Sequence, residues 1–164
     1  MTDFLKSEQY IKQHRAETID MICRFAATDL LLFWDEKEDI YERQQKIWRS
    51  LLDNTEKQLS TDIKISYSLQ VPDNKVYLDA LKNRINKLND KELTTAFLTA
   101  TQLKSVILGL ALLDKQINVE EVFNAAFLEE LYQNELWGTD DEAADKREQI
   151  KTELQKIKEY LLND

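Results

Sequence analysis

Apolar residues recur along most of this chain at steps of three and four, the repeat of a helix with one buried stripe. Ile19, Ile22, Ala26, Leu30 and Phe33 share such a stripe and predict a first helix from about His14 to Phe33. The charged run Asp35-Glu36-Lys37-Glu38-Asp39 interrupts it as an exposed turn. A second helix, carrying Ile40, Ile47, Trp48, Leu51 and Leu52, fades near Leu59. From Ile63 to Val71 the period changes to two, with Ile63, Ile65, Tyr67, Leu69 and Val71 alternating with polar residues until Pro72. That is a strand pattern, and it has no partner strand elsewhere in the chain.

Helical spacing then returns. Leu78, Leu81, Ile85 and Leu88 form a narrow seam. Asn89 with Glu92, Asn118 with Glu121, and Thr139 with Glu142 have the spacing of capping boxes, in which each side chain satisfies an orphan amide at a helix start. Behind Asn89 the pattern predicts one long helix through Leu93, Phe97, Ala100, Leu103, Ile107, Leu110 and Ala111. From Val106 to Leu113 it is apolar on all sides, as a central buried helix must be. Lys104 falls inside this helix and is expected to snorkel or to pair with a buried acid. The helix after Asn118 carries Val122, Phe123, Ala126 and Phe127, and Gly138 stands where a helix-ending glycine belongs. A last helix carries Ile150, Leu154, Ile157 and Leu161. The expectation is a single all-α domain of about six helices with one extended segment at residues 63–71.

Composition sharpens this picture. Two glycines and one proline in 164 residues leave little material for hairpins and exclude phosphate loops and dinucleotide fingerprints. One cysteine, Cys23, forms no internal disulfide, and one histidine, His14, builds no histidine-rich metal site. Both read as ordinary, a small core thiol and an exposed ring. The run Val106–Leu113 is far shorter than the ~20 residues of a membrane-spanning helix. The start of the chain has neither a signal-peptide core nor an arginine-rich transit segment. These features point to a soluble protein of a reducing compartment, with no membrane insertion.

The net charge of −9 argues against a nucleic-acid partner, and its distribution is uneven. Between Gln116 and Asp145 there is no lysine or arginine. Glu120, Glu121, Glu129, Glu130, Glu135, Asp140, Asp141, Glu142 and Asp145 all fall there, as many acids as the net negative charge of the whole chain. A solvated acidic face is the plain reading; a docking surface for a basic segment, or a carboxylate metal site, is the sharper one.

Within this block, Leu128-Glu129-Glu130-Leu131-Tyr132-Gln133-Asn134-Glu135-Leu136-Trp137-Gly138 resembles the signature of the ATP-twelve family, chaperones of the α subunit in ATP synthase assembly. The following Thr139–Arg147 stretch looks like the bacterial form of the family's acidic segment. Upstream, Cys23-Arg24-Phe25-Ala26-Ala27-Thr28-Asp29-Leu30-Leu31 looks like its Tyr/Phe-Ala-x-Thr-Asp-Leu-Leu. Arg43-Gln44-Gln45, Trp48 and Leu51-Leu52-Asp53 are similar to a third motif. The motifs run in family order from about His14 to Leu162.

The resemblance implies a chaperone that binds the free α subunit and prevents its aggregation before it pairs with β. It implies no enzyme activity and no cofactor, and a bacterial cytoplasmic or mitochondrial-matrix setting. It places the sensitive acid at Glu129, with Glu130, Gln133, Trp137 and Gly138 as companion partner-binding positions. Residues 14–164 correspond to the family's helical part and 1–13 to a lead-in, with no counterpart of its β-rich domain. On composition alone, Trp137 beside a helix-ending glycine reads first as a packing anchor. The enzyme alternative is an all-α, magnesium-dependent nucleotide pyrophosphohydrolase, for which Glu129-Glu130 and Glu142-x-x-Asp145 are a near match. Gln133 stands where that pattern needs a third acid. A helical adaptor for an unrelated partner is a further alternative.

Overall fold

The computed structural model describes residues 3–163 and is all-α, with nine α-helices among the described residues. They are α1 (Phe4–Gln13), α2 (Arg15–Ala27), α3 (Glu38–Leu59), α4 (Lys75–Asn86), α5 (Asp90–Leu103), α6 (Val106–Leu113), α7 (Val119–Ala126), α8 (Leu128–Trp137) and α9 (Asp141–Leu162). A 3₁₀ turn at Leu30–Leu32 follows α2. All eight residues of α6 are buried, as its uniformly apolar sequence requires. Helices α2, α3, α5 and α7 pack around it. Its contact with α5 includes Gly109, which faces the Ala96 carbonyl and the Thr99 side chain. No described helix is long and apolar enough to cross a membrane.

The larger number of helices comes from tertiary partners that break helical patterns. The first predicted helix ends at Ala27 rather than Phe33, and residues 4–13 form a helix of their own that packs on α5. The long helix after Asn89 is cut at Lys104, which is left-handed (φ 57°) and caps α5. Lys104 is therefore exposed at a corner and not buried inside a helix. The cause is Asp29, 0% exposed, whose carboxylate accepts from the amides of Val106 (2.8 Å) and Ile107 (3.0 Å) at the start of α6 and from Leu31 (3.0 Å). Ser105 takes the Leu108 amide at 3.1 Å. Four amides that an uninterrupted chain would satisfy by other means thus find side chains instead.

The segment 63–71 is not a strand. Its one bridge is parallel, between Ser66 and Phe33, with Trp34 N–H to Ser66 O at 2.8 Å and Ser66 N–H to Leu32 O at 2.7 Å. Beyond it, the hydroxyls of Ser66 and Ser68 accept from the amides of Ser68 and Gln70, both at 3.1 Å, and curl the chain. Ile63 is buried, whereas Tyr67, Leu69 and Val71 face solvent. Two of the three predicted capping boxes form, at Asn89–Glu92 and Asn118–Glu121. The third does not: α9 starts one residue later, with Asp140 at its N-cap and no side-chain capping bond, and Glu142 lies beside Lys146.

Candidate functional site

The helix predicted from Asn118 to Gly138 is two helices, hinged at Phe127 (φ −107°). A continuous helix would give the Ala125 carbonyl to the amide of Glu129. Here it accepts instead from the indole N–H of Trp48 on α3, at 2.9 Å. Trp48 is buried, so this bond fixes the point from which α8 departs.

Three sets of contacts then set the rotation of α8 about its axis. Leu128 and Tyr132 are its buried residues and face the core. The Tyr132 hydroxyl donates to Asp39 Oδ2 at 3.1 Å, and the Arg43 guanidinium lies 4.9 Å from the centre of the Tyr132 ring. Arg43 also grips both carboxylate oxygens of Glu135. Burial, and then the Asp39 bond, push the Tyr132 hydroxyl above its ordinary pKa; the Glu135 hydrogen bond pushes the Arg43 guanidinium above its own. On the opposite flank, Glu130 accepts from Arg147 of α9 at 3.1 Å. Arg147 is 6% exposed, a buried cation that needs this partner.

What remains is a bare face. At 100° per residue, Leu136, Glu129, Gln133 and Trp137 fall within an arc of about 100°. Glu129 and Gln133 are exposed, Leu136 is 49% exposed and Trp137 84%. Among the described residues, no side chain bonds to Glu129 or Gln133. Gly138 ends the helix at φ +87°, and a Cβ placed on it would meet nothing within 4 Å. Trp137 is thus no packing anchor; that role belongs to Trp34 and Trp48.

The structure brings Glu129, Gln133 and Trp137 onto one face, with Gly138 at its tip, and turns Glu130 aside to Arg147. The near match to a pyrophosphohydrolase does not assemble: among the described residues, no three carboxylate, histidine or cysteine side chains converge as metal ligands. Arg43, Tyr132 and Glu135 lie in the quoted motifs and Asp39 in the charged run, but that they pair with one another was not legible in the sequence, because the pairing spans about ninety residues. Asp29 stood inside the first predicted helix and within a quoted motif, but its partners on α6 are nearly as distant, so its role in ending that helix was hidden.

What this defines is an all-α domain with the fold of Atp12. The chain is similar to the crystal structure of Atp12 from Paracoccus denitrificans at a TM-score of 0.88 and 23% identity, over 94% of this chain and 67% of that one. A crystal structure of the protein Atu1473 from Agrobacterium tumefaciens is similar at a TM-score of 0.84 and 24% identity, over 93% of this chain and 57% of that one. The chain therefore spans about two thirds, or less, of the solved chains it matches. No protein-family model matches the sequence.

Proposed function

We propose that this protein is a chaperone of ATP synthase assembly. It holds the free α subunit of the catalytic sector through the bare face of α8 until the β subunit replaces it. The observation that carries this reading is Trp137. A large aromatic held 84% exposed on a helix rigidly seated on its other sides is a preformed contact. The ordered motifs in the sequence and the Atp12-like fold support the same reading. A subunit awaiting its partner exposes apolar surface rimmed by polar groups, and a helix face of mixed tryptophan, leucine, glutamine and carboxylate can cover such a surface reversibly. The reading places the protein in a bacterial cytoplasm, or in the mitochondrial matrix of a eukaryote.

The test is co-elution with purified α subunit on size-exclusion chromatography, followed by addition of β. A complex that forms with α alone and dissolves as β is added is the expected result. Failure to co-elute with α, or equal retention of β, would overturn the proposal.

A further inference from the structure

The charges around the bare face say more about what it takes. Of the acids in the cation-free stretch, Glu120, Glu130, Glu135 and Glu142 are matched by Lys151, Arg147, Arg43 and Lys146, and Glu121 closes a capping box. Among the described residues, the side chains of Glu129, Asp140, Asp141 and Asp145 make no ion pair. The neighbouring arginines are already engaged: Arg43 and Arg147 hold the flanks of α8. Glu129 lies two turns before Trp137, about 12 Å along the helix. Asp140 and Asp141 follow within four residues on the other side, past the uncovered Gly138. An exposed apolar anchor, Leu136 with Trp137, therefore stands between unmatched carboxylates at both ends.

Resting on the reading of α8 as the client face, we propose that it takes a basic amphipathic segment of a protein. An apolar side chain of that segment seats on Trp137 and Leu136, while its lysine or arginine side chains reach Glu129 on one side and Asp140 and Asp141 on the other. The arrangement selects against acidic segments as strongly as it favours basic ones, since like charges brought together are penalised. The burial of tryptophan supplies holding strength, and the carboxylates supply encounter rate and orientation. Such a contact loosens as salt rises, because mobile ions weaken exposed ion pairs and screen the longer-range attraction that steers them together.

The probes are three synthetic peptides of equal length: a leucine–lysine amphipathic helix, its leucine–glutamate counterpart, and a serine–lysine peptide without apolar anchors. The readout is tryptophan emission. Trp34 and Trp48 are buried with their indole N–H groups bonded to Leu31 O and Ala125 O, so a blue shift on binding reports Trp137. The leucine–lysine peptide should give a saturable blue shift that Trp137→Phe abolishes. Its affinity should fall by about threefold with Glu129→Lys and again with Asp141→Lys, in line with rim charges. Asp79→Lys, an exposed reversal on α4, should leave it unchanged. Equal binding of the leucine–glutamate peptide, binding by the serine–lysine peptide as strong as that of the leucine–lysine one, or affinity insensitive to salt would overturn the proposal. Co-elution with the α subunit separates the two claims. Peptide discrimination without α-subunit binding removes the proposed client and keeps the segment chemistry. Salt-insensitive α-subunit binding without peptide discrimination does the reverse.

Discussion

Asp29 and Trp137 are opposite cases of one principle, that a side chain's surroundings decide its role. Asp29 is sealed in and accepts from three backbone amides of two elements. Desolvation outweighs those bonds and pushes its carboxyl from the ordinary 3.8 up to about 6. The native state therefore holds this proton more tightly than the unfolded chain does. The stability Asp29 contributes through that proton is fully present below pH 3.8 and is lost as pH rises through about 6. Chemical denaturation of the wild type across this window should show that decline, and Asp29→Asn should remove it. The same substitution should cost about 1–3 kcal/mol, since an amide oxygen accepts while its NH₂ group faces buried N–H donors. Trp137, by contrast, touches little of its own chain. Trp137→Ala should leave the midpoint of unfolding within about 0.5 kcal/mol of wild type, the range of surface substitutions, while abolishing client capture.

At the scale of elements, the two corners at Lys104 and Phe127 give the fold its shape. Apolar periodicity and the Asn89 and Asn118 boxes made most helices legible, because those signals are local. The corners were not legible, because each depends on a side chain from far along the chain. Asp29 takes the first amides of α6, and Trp48 takes a carbonyl of α7. The extended segment failed for the opposite reason: Ser66 and Ser68 satisfy nearby amides locally and pre-empt a ladder. The α5–α6 corner rests on close approach at Gly109. Gly109→Ala meets its neighbours at 3.4 Å, close to ordinary contact, and should change stability little. Gly109→Leu must part the helices and should cost about 1–3 kcal/mol, as overpacking does, measurable by thermal unfolding. For α8, Arg43→Ala frees Glu135 and uncovers Tyr132. It should lower global stability by no more than about 1 kcal/mol, because the Arg43–Glu135 pair is partly exposed, yet weaken client binding by loosening the helix that presents Trp137.

At the scale of the whole molecule, a buried helix, α6, is wrapped by others, and one outer helix is left with an uncovered face. Sequence motifs pointed to Glu129, Gln133 and Trp137 together, and helical geometry explains why: steps of four keep them on one strip. Sequence could not show that Glu130 leaves that strip for Arg147, since only packing against α9 decides it. The central proposal is that this face protects an unassembled subunit. Light scattering of purified ATP synthase α subunit, with and without this protein, tests it most directly. Suppression of aggregation near equimolar ratio is the expected result, strongly reduced by Glu129→Lys or Trp137→Ala in variants whose helical content and melting temperature match wild type. Suppression of equal strength by those variants would contradict it, as would aggregation that proceeds unchanged in the presence of the wild-type protein.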